Sequence, residues 1–191
     1  MVAGSILPIS IHNNKLYFLF GKENPLEDSA KGWSDFGGSV ENNESPFKTA
    51  MREGGEELTG FLGDGKKIQA LIKKNGGFYK MERNKYHIHM FFLEYDENLP
   101  KYYNNNHMFL WNRMDHEVLG KTKLFEKIEI RWFSVEDMKR QKKEFRNFYQ
   151  DFIDDILSNI ENIEKFALTK TKRSNYARRN TRKIRNLEIN E

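Results

Sequence analysis

The stretch from residue 45 to residue 60, SPFKTAMREGGEELTG, constrains the chain more than any other. Ser45 followed by Pro46 opens a helix well, because serine caps a free backbone N–H and proline suits the first helical position. At 100° per residue, Phe47, Ala50, Met51, Gly54 and Leu58 fall within one arc of about 100°, which predicts a buried face. Glu53, Glu56 and Glu57, at i, i+3 and i+4, project from a different arc, with Arg52 beside them. This sequence works against its own helix. Like charges at that spacing repel by ~0.2–0.5 kcal/mol per pair, and Gly54 and Gly55 each cost roughly 1 kcal/mol relative to alanine. Something outside the helix should compensate. A hard divalent cation is the natural candidate, since Mg²⁺ takes oxygen ligands and is shared between carboxylates and substrate phosphates. The plain alternative is a solvated acidic face, the usual fate of a charge run.

The spacing upstream of this helix decides between them. Gly38 is followed after five residues by Glu44, after seven more by Arg52-Glu53, and after two more by Glu56-Glu57. Six fixed identities at fixed spacing arise by chance at ~10⁻⁷ per start position if each residue type makes up ~7% of a chain. The pattern resembles the signature of the Nudix hydrolases, G-x5-E-x7-R-E-U-x-E-E-x-G-U, where U is a bulky aliphatic residue. The flanks are similar as well. WSDFGGSVE at 33–41 looks like the approach to that box, and EKIEIRWFSVED at 126–137 resembles the late Nudix strand that ends in an aromatic before a final helix. Three positions depart from the pattern: Gly54 stands where an aliphatic residue is usual, Thr59-Gly60 carries the glycine one place late, and Phe36 stands where many members have proline. In look the sequence is closest to Nudix proteins of large DNA viruses, mRNA-decapping members among them.

The resemblance implies an α/β fold, a Nudix-type α/β/α sandwich with a central mixed sheet. It implies hydrolysis of a nucleoside diphosphate linked to another moiety, by water attacking phosphorus with Mg²⁺ or Mn²⁺ neutralising the charge that develops. Carried over residue by residue, it assigns Glu53, Glu56, Glu57 and the Gly37 carbonyl to the metal. Glu53 is the favoured general base, with Glu126 or Glu129 on a late loop as the alternative, and Arg52 with Glu44 forms an orienting ion pair. Trp33, Phe36, Tyr79 and Tyr86 are the rings that could stack on a base, against the bland reading that they are core. Within this class the leading substrate is the 5′ cap of mRNA. The alternatives are free nucleotides, dinucleoside polyphosphates or diphosphoinositol phosphates, or a catalytically silent module that binds nucleotide or RNA.

The rest of the chain divides by charge. Residues 165–185 carry nine basic side chains and no acid, whereas residues 1–164 hold a small acidic excess. The expected organisation is therefore a Nudix domain over 1–164 and a basic, flexible C-terminal tail over 165–191. Lys170, Lys172, Arg173, Arg178, Arg179, Arg182, Lys183 and Arg185 are candidate contacts to RNA phosphates; a solvated tail is the alternative. In the body, Ile6 to Ile11 and Leu16 to Phe20 read as strands joined by a tight turn at Asn13-Asn14, since asparagine tolerates positive φ. Segments 66–73, 87–95 and 128–133 read as further strands. Ser134 with Asp137 resembles a capping box opening a long amphipathic helix whose apolar stripe runs from Phe145 to Ile163. Segment 101–124 reads as an insertion with a short helix near 108–117.

Several functions are excluded. The chain has no cysteine, which removes disulfides, thiolate nucleophiles and cysteine-ligated metals. Gly60-x4-Gly65-Lys66 mimics a phosphate loop, but Lys67 stands where Ser or Thr must meet Mg²⁺. His87 and His89 share a strand face without an evident third zinc ligand. No run of apolar residues is long enough to span a membrane, and the N-terminus has no basic n-region, with Pro8 and Ser10 interrupting its apolar stretch. The expectation is a cytoplasmic protein, with the nucleus as the other option and the oligomeric state left open.

Overall fold

The computed structural model describes residues 1–24, 31–122 and 126–171. Strands β1 (Ala3–His12) and β2 (Lys15–Glu23) form the expected antiparallel hairpin. Asn13 and Asn14 turn it with φ of 48° and 58°, both in the left-handed region that a two-residue hairpin turn requires. The next strand splits its pairing: β3 (Trp33–Ser34) adds to β2, and β4 (Phe36–Ser39) adds to β1. On the far side of β1 lies β6 (Tyr86–Phe92), parallel to it, followed by β5 (Phe78–Arg83), antiparallel to β6. β7 (Lys127–Ser134) pairs antiparallel with β2. The result is a mixed seven-stranded sheet.

Side chains alternate across this sheet, so the run Ile6-Leu7 feeds two cores at once. Ile6, Leu19, Phe36 and Ile130 pack under α1 (Pro46–Glu57), α2 (Gly65–Lys74) and α3 (Asn98–Trp111). Leu7, Ile9, Phe18, Phe20 and Phe133 pack under α5 (Val135–Arg140) and α6 (Gln150–Ser158), together with the helical residues 160–171. A further short helix, α4 (His116–Thr122), follows α3. The fold is an α/β/α sandwich around a mixed sheet.

Three expectations are corrected. Segment 66–73 is the helix α2, not a strand: the Asp64 side chain accepts from Lys67 N at its start, and Ile68 and Ile72, one turn apart, take the buried face. The long late helix is broken. Ser134 and Asp137 do form a capping box, but α5 ends at Arg140, and 3₁₀ turns at Lys142–Glu144 and Asn147–Tyr149 precede α6. The break lets Phe145 and Arg146 reach Trp33 on the sheet. The insertion is α3, beginning at Asn98 and so ten residues earlier than expected. The basic segment also begins inside the fold, since residues to 171 are helical and Ala167 is fully buried. Among the candidate RNA contacts, Lys172, Arg173, Arg178, Arg179, Arg182, Lys183 and Arg185 lie outside the described residues.

Candidate active site

Helix α1 opens as the sequence predicts, with the Ser45 side chain accepting from Lys48 N and Pro46 in the first turn. Its two glycines have steric reasons. A Cβ on Gly54 would stand 2.3 Å from Ile6 Cδ1, so the glycine lets α1 settle on β1, and Gly55 lies against the start of α2 at Gly65. Their helix-propensity cost is offset by close packing.

The acidic face is compensated from within the protein. Arg52 is a hub: Nη2 donates to Glu44 Oε1 at 2.7 Å, and Nη1 to Glu53 Oε1 at 2.8 Å and Glu56 Oε2 at 3.3 Å. The Arg52 contact, aided by a bond from Thr49 Oγ1, holds the Glu44 carboxyl below its usual range despite some desolvation. Glu44 and Arg52 form the expected ion pair. Glu53 tips toward β4, where its carboxylate lies so close to Gly38 that a Cβ there would meet Oε1 at 2.4 Å. Burial pushes the Glu53 carboxyl up, against the pull of Arg52. Glu56 faces outward with 58% of its side chain exposed.

Glu57 is on the buried side of the helix rather than the exposed one. Its Oε2 accepts from Gly37 N at 2.8 Å, and Lys127 Nζ stands 3.2 Å from its Oε1. The Lys127 ammonium also donates to Glu23 and, at 2.9 Å, to Ser34 Oγ. Glu23 in turn accepts from Arg146 Nη1 at 2.8 Å. Burial opposes the charge on Lys127, but Glu57 and Glu23 outweigh it and raise its pKa. Next to this group Asp35 is buried and held by the Tyr86 hydroxyl at 2.6 Å and by Ser5; desolvation raises its pKa against those bonds.

Of the two late glutamates, Glu126 is near enough for its charge to act on Glu57. Glu129 lines a separate cavity of about 580 Å³ against α3, with His107, Met108 and Trp111. The proposed stacking rings separate too. Phe36 is fully buried and Trp33 nearly so, both in the core, so neither offers a face to a base. Tyr79 packs against Phe166. Tyr86 does border open space: with Gly37, Gly38, Arg83, Arg146 and Phe148 it lines a cavity of about 480 Å³ directly beside β4. Lys170 is engaged in the fold, donating to the Gly76 carbonyl at 2.7 Å.

A family model for the NUDIX domain matches residues 5–156. The chain belongs to the Nudix family. The Nudix domain is that of pyrophosphohydrolases acting on nucleotide-type substrates, and its members generally use divalent metals such as Mg²⁺. Among solved structures, the C. elegans Ap4A hydrolase binary complex is similar at 15% identity, with 72% of this chain and 82% of that chain covered and a TM-score of 0.41. A mutT/nudix family protein from Listeria innocua is similar at 16% identity, with 87% and 96% covered and a TM-score of 0.44. No curated protein sequence matches the chain. No helix among the described residues is long and apolar enough to cross a membrane.

The Nudix assignment raises the question of a metal. Among the described residues no three acidic or histidine side chains converge on one point. Two carboxylates do meet one strand, β4: Glu57 at the N–H of Gly37 and Glu53 at the Cα of Gly38. Because Gly37 gives its N–H to Glu57, its pair with Ser5 is of the non-hydrogen-bonded kind, which leaves the Gly37 carbonyl off the β1 ladder as well. Two carboxylates and a carbonyl suit Mg²⁺, which keeps several waters and needs only one or two protein carboxylates beside substrate phosphates. The residues fit the ion in that form.

Proposed function

We propose that this Nudix domain hydrolyses a nucleoside diphosphate linked to another moiety, and that the linked moiety is the body of a capped RNA. The observation that carries the hydrolytic part is the bracketing of Gly37 and Gly38 on β4 by Glu53 and Glu57 at the edge of a cavity large enough for a nucleotide. When bound by Glu53, Glu57 and the Gly37 carbonyl, Mg²⁺ or Mn²⁺ supplies charge neutralisation along the phosphate chain. Glu56, turned outward on the same helix, would be the further carboxylate available to the ion. Glu53 accepts the proton of the attacking water, a role suited to a carboxyl whose affinity for protons burial has increased, with Glu126 the second candidate. Arg52 fixes the Glu53 carboxylate through its own anchor on Glu44. In the cavity, Phe148 shows a part-exposed ring for a base; Arg146, held by Glu23, lies over that ring, and Arg83 is held by Asp151 and Asp155.

The RNA part of the reading is supported by the basic segment. Its last described residues lie against the turn after α2, where Lys73 and Lys74 are exposed, so the remaining cations continue from an already basic surface. The deciding experiment is a product screen with Mg²⁺ or Mn²⁺ over capped RNA, free nucleotides, dinucleoside polyphosphates and diphosphoinositol phosphates. Release of the cap nucleoside as its diphosphate, with a 5′-monophosphate left on the RNA, is the expected result. Turnover of the small substrates alone would assign a housekeeping role, and turnover of none would make the domain a binding module.

A further inference from the structure

We infer that Lys127 is a resident cation of the acidic centre, holding the place between Glu23 and Glu57 that a further divalent ion would otherwise take. The inference rests on the metal-dependent reading above.

The ammonium of Lys127 has three donors, and three oxygens surround it: a Glu23 carboxylate oxygen, Ser34 Oγ and Glu57 Oε1. Two are anionic, and all three are hard oxygen donors of the kind that divalent ions of the Mg²⁺ class choose. Only 1% of the Lys127 side chain and 5% of each carboxylate side chain is exposed, so bulk water does not screen the group. A lysine stem needs a channel to reach such a place, and the fold provides one at Gly21. A Cβ there would stand 2.9 Å from Lys127 Cγ and 3.0 Å from Cδ. The second partner is also brought in by the backbone. The β2–β7 register shifts between Lys22 and Glu23, a bulge of the kind that re-aims a side chain, and Glu23 is thereby paired with Lys127.

Glu23 and Glu57 are met by two cations, Lys127 and Arg146, with Asp35 buried close enough for its charge to act on Lys127 as well. A divalent ion bridging Glu23 and Glu57 would have to face the ammonium at contact distance. The Glu57 oxygen turned away from Lys127 is the one that accepts from Gly37 N, next to Glu53 and the Gly37 carbonyl, the groups that would hold an ion there. The lysine therefore restricts how many ions the centre accepts and fixes the Glu57 carboxylate toward Gly37 on β4.

A buried ion pair that merely holds β7 to β2 would have the same contacts, and the test must separate the two. The readout is Mn²⁺ binding by the full chain without substrate, followed by the loss of the free-ion signal in electron paramagnetic resonance. Lys127→Met should bind one more Mn²⁺ per chain than the unaltered protein, and its Tm should rise with Mn²⁺ by a larger step. Equal stoichiometry in the two proteins overturns the inference, and so does a Lys127→Met chain that folds neither with nor without Mn²⁺. Glu23→Gln gives a second reading. With one carboxylate removed, the ammonium turns wholly to Glu57, and Mn²⁺ affinity should fall about tenfold or more; unchanged affinity also overturns the inference. These measurements are independent of turnover, so an inactive protein that shows the extra Mn²⁺ would refute the hydrolase reading and leave the role of Lys127 standing.

Discussion

Tyr103 shares its single hydroxyl proton between the backbone carbonyls of Glu57, at 2.9 Å, and Lys127, at 2.8 Å. The inserted helix α3 is thus fastened to the end of the acidic helix and to the start of β7 at once. Asn104, next in the chain, extends the attachment by pairing its amide with both the N–H and the carbonyl of Ile130. Tyr103→Phe keeps the ring and removes only the donor, leaving two buried carbonyls without it. A loss of about 1–3 kcal/mol in unfolding free energy is expected, measured by urea denaturation. A variant as stable as the parent would mean that α3 is held by its apolar contacts alone.

Gly21 tests the channel for Lys127 from the opposite side. An added methyl would stand 2.8 Å from Phe36 Cε1 and 2.9 Å from Lys127 Cγ, and neither fully buried neighbour has room to retreat. Gly21→Ala should cost about 1–3 kcal/mol through overpacking. The same denaturant titration reads it, and a shift of the midpoint toward stability would contradict the steric account.

The contrast between these two residues and the acidic helix shows what a sequence exposes. The hairpin at Asn13-Asn14 and the cap at Ser45 were legible because each depends on residues a few positions apart, and the Glu44–Arg52 pair followed from the family resemblance. Lys127 and Glu23 meet across 104 residues, and Arg146 reaches Glu23 across 123, so only the β2–β7 pairing and the break after α5 bring them together. Segment 66–73 misleads because lysines flank a short apolar run, and the deciding signal was Asp64 just before it. Phe36 and Trp33 look like binding rings only while the second core beneath them is unknown. Glu57 belongs to both lists: its spacing marks it as acidic, but the sheet below turns it inward.

Acid should weaken the fold through His89. Its ring is buried between Phe47 and Phe78, and Nδ1 donates to the Ser5 carbonyl at 3.0 Å. Burial lowers its pKa below the ordinary 6.5, with Lys80 and His87 adding to the effect. The unfolded chain therefore takes up the proton first. Stability from neutral His89 is complete above the unfolded value and is lost as pH falls through the folded one. His89→Gln, uncharged throughout, should show a shallower fall in Tm between pH 7 and pH 5 than the parent; identical slopes would remove His89 from the account. His107, lowered by burial as well, contributes equally to both proteins and cancels in the difference.

Glu57→Gln removes one negative charge and keeps the side-chain shape. The amide oxygen can still accept from Gly37 N, and Lys127 retains Glu23, so the chain should remain folded with an unchanged circular dichroism spectrum. Turnover of the substrate found in the product screen should fall about a hundredfold or more, the scale at which a lost electrostatic stabiliser acts on a transition state. Near-parental turnover would take Glu57 out of the reaction.

The basic segment makes its own prediction, through salt. Seven of its cations follow residue 171: Lys172, Arg173, Arg178, Arg179, Arg182, Lys183 and Arg185. Each phosphate they neutralise releases a condensed counterion, and on single-stranded RNA each contact adds roughly 0.7 to the slope of log affinity against log salt concentration. A chain ending at Thr171 keeps Ala167 in the core and Lys170 on the Gly76 carbonyl, so its fold and its turnover of a small substrate should be unaffected. Its affinity for a capped RNA should drop, and the salt slope should flatten by as much as roughly 5 if all seven cations engage. Filter binding across a range of KCl concentrations measures both quantities together. A slope equal to that of the full chain would place the RNA contact on the folded surface, at the lysines of α2, and leave the segment out of recognition.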